Sequence, residues 1–151
     1  IDKLLQAVVV DKSIKLDDML IGDKNAIMLS ARILGYGKQY EFTYEGEEQS
    51  VDLSTLEAVN MDFSKFTKGK NEFNFKLPTS KREITFKLLT GGDEKNIAEE
   101  TIAKQKISKE FNPIFTTRLK HMILSVDGKS EKSYINNFVD NEFLSRDSLF
   151  T

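Results

Sequence analysis

His121 is the only histidine, and imidazole is the side chain best suited to general acid–base work near neutral pH. It stands between Lys120 and Met122, with no second histidine to build a metal cluster, so a structural or surface role is the plain reading. Carboxylates are paired at Asp17-Asp18, Glu47-Glu48, Asp93-Glu94 and Glu99-Glu100. Such pairs serve glycoside hydrolysis or hard-metal binding. Here two pairs fall at expected helix starts, one at an expected hairpin tip and one on an expected helix surface. No spacing fits a calcium loop, so capping and solvation account for them. Gly91-Gly92 ahead of a helix invites a phosphate loop, but Asp93-Glu94 follows where the Walker pattern needs Lys-Ser or Lys-Thr, and their charge repels phosphate. Lys68-Gly69-Lys70 and Lys81-Arg82 are basic tips beside aromatic strands. A nucleic-acid-binding hairpin built on Phe73, Phe75 and Phe86 is therefore the alternative function, although Glu72 and Glu83 favour solvated turns. No nucleophile elbow, zinc motif or dinucleotide fingerprint is present, so neither an enzyme nor a catalytic, cofactor or metal residue is expected.

Composition narrows the classes further. The 151 residues suffice for one domain or two small ones, with a core rich in the 11 Phe and lacking Trp and Cys. Without Cys the chain has no disulfide and no thiolate metal site. Its 22 basic and 24 acidic residues nearly balance, which argues against the basic stripe of a nucleic-acid binder. No apolar run, Ala7-Val8-Val9-Val10 included, approaches the ~20 residues of a membrane span. No signal peptide is read at the start. A chain opening at Ile1 reads as a fragment of a longer protein.

Periodicity then places the elements. Ile1, Leu4, Leu5, Val8 and Val9 predict a helix over residues 1–9, followed by a polar break at Asp11-Lys12-Ser13 and a short helical turn from Leu16 to Ile21. Gly22 is expected to end that turn and Asp23 to cap the next helix, whose apolar face is Ala26, Ile27, Leu29, Ala31, Ile33 and Leu34, with Lys24 and Arg32 projecting elsewhere. Gly35-Tyr36-Gly37 predicts a corner. Alternation over 38–44 and 49–53 predicts a half-buried hairpin with Tyr40, Phe42, Val51 and Leu53 on one face and Glu45-Gly46-Glu47-Glu48 as its turn. Residues 54–71 read as irregular, with Leu56, Val59, Met61, Phe63 and Phe66 scattered through them. A second hairpin is expected from Glu72–Leu77 and Glu83–Leu88 around Pro78–Arg82. Thr90 or Asp93 should cap a helix running to about Ile107, with Ile97, Ala98, Thr101, Ile102 and Gln105 near its buried side. Phe111 to Pro113 should break it. Further helices are expected from Ile114 to about Ser125, from Glu131 to Val139, and from Asn141 or Ser145 onward. The fold class is thus α+β, with helical segments at both ends flanking two hairpins at about 38–53 and 72–89. Three units follow: 1–53, an irregular connection over 54–71, and 72–151. Lys3-Leu4, Lys12-Ser13 and Leu29-Ser30 are echoed by Arg118-Leu119, Lys129-Ser130 and Leu144-Ser145, which fits either a duplicated helical unit or chance agreement.

Gly22, Asp23, Asn25, Leu29, Arg32, Tyr36, Gly37 and Tyr40 follow the order of a Gly-Asp-x-Asn helix, a Tyr-Gly corner and a Tyr-x-Phe strand. In that order the chain resembles the baseplate hub and hub-assembly family of T-even-like, contractile-tailed phages. Leu77-Pro78-Thr79-Ser80, the run from Ile84 to Asp93-Glu94, Asn137-Phe138-Val139 and Leu144-Ser145-Arg146-Asp147-Ser148 extend the likeness over nearly the whole chain. The resemblance implies a non-enzymatic tail protein, a hub component or an assembly chaperone, working by protein–protein docking. Its partners would be other tail and baseplate proteins, in a multi-copy or homo-oligomeric assembly. Its place would be the virion baseplate, or the host cytoplasm during tail assembly. The family is taken to carry a C-x-x-C zinc knuckle after the position of Tyr40. Here Tyr44-Glu45-Gly46-Glu47-Glu48 stands in its place, so zinc is not expected and the hairpin is a degenerate ribbon held by packing. Glu45, Gly46, Glu47 and Glu48 are the candidate interaction tip.

Overall fold

The structure, a computed structural model, describes residues 2–56, 64, 67–107 and 113–150. Val59, Met61, Phe63, Phe66, Phe111 and Asn112 lie outside the described residues. It is α+β, with five helices and two small antiparallel sheets among the described residues. The chain divides into two units, Ile1–Lys68 and Gly69–Thr151.

In the first unit, α1 (Asp2–Val8) and α2 (Ile21–Tyr36) are joined by a small apolar cluster of Leu5, Val9 and Leu16, flanked by Met19, Ile27 and Met28. Lys24 reaches Asp2 at 2.7 Å, and Lys12 caps the end of α1 by donating to the carbonyls of Gln6 and Val9 at 2.8 and 2.7 Å. α2 begins one residue before the expected stop. Leu20 is its N-cap and makes no side-chain cap bond, so Gly22 and Asp23 lie inside the first turn. Asp23 therefore favours the helix by its charge near the positive end of the dipole, not by capping. Gly35 is helical. Gly37 is the C-cap, at φ +82° and ψ 172°, and its N–H donates to the Ile33 carbonyl at 2.9 Å.

β1 (Gln39–Tyr44) and β2 (Glu47–Asp52) pair over six positions, from Tyr44↔Glu47 to Gln39↔Asp52. Glu45 and Gly46 alone form the turn, both at positive φ, as the right-handed twist of a two-residue hairpin requires. Glu47 and Glu48 are thus strand residues rather than turn residues, because ladder pairing runs up to the two-residue limit. The expected half-burial fails as well, since every residue of β1 is exposed. Alternation puts the apolar side chains on one face, but only another element can cover that face.

The second unit is better filled. β3 (Phe73–Lys76), β4 (Glu83–Phe86) and β5 (Ile123–Val126) form a sheet in the order β3-β4-β5, with the register slipping between Thr85 and Phe86. α4 (Ile114–Met122) and α5 (Lys132–Asn137) pack against β5, α3 (Gly91–Ile107) packs on α4, and a π turn over Phe138–Glu142 extends α5. Leu77, Ile84, Leu119, Ile123, Val126, Ile135, Phe138 and Val139 make the core. The strand β5 replaces the last turn expected of the preceding helix. Ile123-Leu124-Ser125-Val126 suits either state by composition, and pairing with β4 decides for strand. The residues that the echo would equate with β5 end α1 and enter a loop, so the two segments do not fold alike. The last helix is a 3₁₀ turn at Asp147–Phe150, and Asn141 belongs to the π turn.

Thr90 caps α3 as a reciprocal box: its Oγ1 accepts from the Asp93 N–H at 3.3 Å, and Asp93 accepts from the Thr90 N–H at 3.0 Å. Ile97 and Thr101 are the buried residues of its apolar side, whereas Ala98, Ile102 and Gln105 are exposed.

Candidate docking surface

Arg32 organises the first unit's corner. From the fourth turn of α2 it donates to the Gly37 carbonyl at 3.0 Å and the Gln39 carbonyl at 3.4 Å. Its guanidinium lies 5.1 Å from the Tyr36 ring centre and 5.7 Å from that of Tyr40. A planar cation does both at once, bonding carbonyls in its plane and stacking rings on its faces. Arg32, Tyr36, Gly37 and Tyr40, separate in the sequence, are therefore one cluster. Gly22, Asp23 and Asn25 sit apart from it, at the other end of α2. Beyond the corner, the Leu53 N–H donates to the Lys38 carbonyl at 2.8 Å, and Lys38 pairs with Asp52 at 2.9 Å. Asp52 is held down to about 2 by the Ser54 hydroxyl, then by Lys38 and the Ser54 N–H.

The cluster opens onto an uncovered aromatic face. Tyr36 is 82% exposed, Tyr40 44%, Phe42 41% and Tyr44 63%, and Tyr40 stacks on Phe42 at 5.9 Å. No residue of α2 is buried. Rings left in water on neighbouring positions are the usual mark of a surface that a partner covers. Glu47 shares this face opposite Tyr44, Glu45 stands in the turn, and Glu41 and Glu48 lie on the other face of the hairpin; none of these four is ion-paired among the described residues.

The remaining candidate residues have structural partners. His121 Nε2 meets Glu100 Oε2 at 2.9 Å, and Lys104 meets the other Glu100 oxygen at 2.6 Å. Glu94 pairs with Arg118, and Lys104 donates to the buried Thr117 hydroxyl at 3.2 Å. These contacts form a polar seam between α3 and α4. Lys104 first, and His121 second, hold Glu100 below its usual range. Asp93 bonds Lys87 at 2.8 Å; burial opposes its ionisation, but Lys87 and Thr90 outweigh it and keep it low. Among the described residues no group of three or more carboxylates and histidines could hold a metal.

Phe75 packs against the second unit's core, while Phe73 and Phe86 stack on each other at 5.5 Å. Asn74, Thr85 and Ser125 occupy the opposite face of that sheet, so it offers no row of rings to bases.

Two features escaped the sequence reading. Arg82, expected in a solvated tip, bonds Asp127, Glu142 at 2.8 Å and the Tyr134 hydroxyl at 2.7 Å, and lies over the Phe138 ring. The fully buried Asp147 accepts from the Thr79 and Ser80 N–H groups at 2.7 and 3.1 Å, clasping the Pro78 turn from 68 residues away. Neither partner set has a local signal; each is assembled by the fold.

No family model, curated protein or solved structure matches the chain. Among the described residues no helix is long and apolar enough to cross a membrane.

Proposed function

We propose that this chain is a non-enzymatic docking protein of a contractile phage tail, a baseplate hub component or a chaperone of hub assembly. The observation that carries the docking is the exposed set Tyr36, Tyr40, Phe42 and Tyr44, of which Arg32 holds Tyr36 and Tyr40. The tail assignment rests on the motif order from Gly22 to Tyr40 and on the run from Leu77 to Glu94. Aromatic side chains supply large contact area at low entropic cost, which suits a surface meant to be buried on assembly. The tight pairing of His121, Glu100 and Lys104 fits a role in holding α3 to α4 rather than in chemistry.

Mass spectrometry of purified tails and of their assembly intermediates tests this. The chain should be found in one or both fractions. Presence in mature tails assigns it to the hub, and presence in intermediates alone makes it a chaperone. Absence from both overturns the proposal.

A further inference from the structure

The hairpin β1–β2 is a two-stranded sheet, and among the described residues no further strand pairs with either edge. Two strands alone are marginal in water, and proteins that keep such an edge bare usually guard it with lysine, proline or a bulge. Here the six-residue ladder is continuous, and neither strand contains Pro or Lys. The phase of the ladder says which backbone groups are free. Tyr44 and Glu47 close a two-residue turn, so they and every second pair beyond them exchange hydrogen bonds. The Leu53 N–H on the Lys38 carbonyl keeps that phase to the far end. The backbone groups of Glu41 and Thr43 on β1, and of Glu48 and Ser50 on β2, therefore point outward. On the β1 side the Gln39 carbonyl is already taken by Arg32. On the β2 side the Asp52 carbonyl accepts from the Thr55 hydroxyl at 2.7 Å, while the outward groups of Glu48 and Ser50 have no backbone partner among the described residues.

Charge chooses the occupant. The hairpin carries Glu41, Glu45, Glu47, Glu48 and Asp52 against Lys38, a net of −4, whereas the whole chain has a net of −2. The acidity is thus local, and the rest of the chain is slightly basic. A second copy laid along β2 would set Glu47, Glu48 and Asp52 against the same residues, and like charges across a ladder repel. An incoming strand next to β2 presents alternate side chains to the two faces. On one face they meet Glu48 and, one strand further, Glu41. On the other they meet Glu47, Gln49 and Val51 and, one strand further, the Tyr40 and Phe42 rings.

Resting on the docking reading above, we infer that the outer edge of β2 accepts a strand from a partner protein in which basic residues alternate with apolar ones. The basic side chains lie on the Glu41/Glu48 face, and the apolar ones continue the aromatic face. Main-chain bonds supply the affinity and the alternation supplies the specificity.

The test is amide NMR on the full chain, titrated with three capped peptides: alternating Lys-Val, alternating Glu-Val, and a block peptide of the Lys-Val composition. The alternating Lys-Val peptide should shift the Glu48 and Ser50 amides most and bind more tightly than the block peptide; the Glu-Val peptide should leave them unmoved. Glu41→Gln with Glu48→Gln, both exposed and so harmless to folding, should weaken binding about fivefold at low salt. Equal binding of the block peptide, a response confined to Glu41 and Thr43, no response at all, or dimerisation of the free chain overturns the inference. Failure here with the chain still found in tail fractions leaves the docking role standing. Success here with the chain absent from those fractions removes only the tail assignment.

Discussion

At the scale of the residue, Arg32 and Gly37 hold the corner. Arg32→Ala loses two stacked rings and two carbonyl bonds and should cost about 1–2 kcal/mol in the first unit. Arg32→Lys should not restore it, since an ammonium cannot stack and bond in the same plane. Tyrosine fluorescence under urea reports this directly, because three of the four tyrosines, Tyr36, Tyr40 and Tyr44, sit at the corner or on β1. Gly37 lies where φ and ψ together admit essentially glycine alone. A Cβ there would meet no neighbour within 4 Å, so Gly37→Ala should cost about 1–3 kcal/mol through backbone strain and not through a clash.

Titration follows from the depressed carboxylates. Asp52, lowered from 3.8 to about 2, contributes stability that is present above its unfolded value and lost as pH falls through the folded one. Asp52→Asn should therefore flatten the stability profile of the first unit between about pH 4 and 2, read from the same fluorescence. Glu100 acts in the same sense on the seam of α3 and α4. Its contribution is full above its ordinary 4.5 and fades as acid passes below it, and Glu100→Gln removes that dependence from thermal melts.

At the scale of the element, α3 depends on its cap and α5 on its buried ring. Thr90→Ala removes the reciprocal box and should cost about 1 kcal/mol, measurable as a lower urea midpoint. Phe138 is fully buried, beneath Arg82 and edge-on to Phe143 at 5.8 Å. Phe138→Ala should cost about 3–5 kcal/mol, the largest loss of any single truncation in the second unit. A loss no larger than that at the exposed Phe115 would remove Phe138 from the centre of the core. The hairpin obeys different rules. Its ladder and turn are local, so it forms where alternation places it, but its aromatic face gains little until something covers it.

At the scale of the molecule, the two units differ in how much they bury. The first has Leu5, Val9, Leu16 and Leu53 inside, whereas the second has a contiguous core from Leu77 to Val139. Amide exchange should therefore be slower across β4, β5 and α5 than across α2 and β1 by at least an order of magnitude. Comparable protection in α2 would mean that its face is covered in solution, by a partner or another copy.

Local chemistry was enough for much of this. The alternation in 39–44 and 73–76, the Glu45-Gly46 and Asp127-Gly128 turns and the Thr90–Asp93 box depend on residues a few positions apart, and such signals survive in any context. Burial and partnership do not. β5 became a strand because β4 offered it a ladder, and Arg82 left solvent because Asp127, Tyr134 and Glu142 converged on it. For the docking surface, the sequence by itself determined which side chains share a face and that carboxylates cluster at the hairpin tip. Only the tertiary structure decided that Arg32 draws Tyr36, Gly37 and Tyr40 together, and that the aromatic face is exposed and β2 is paired on one side alone among the described residues, because coverage depends on what else the chain brings near.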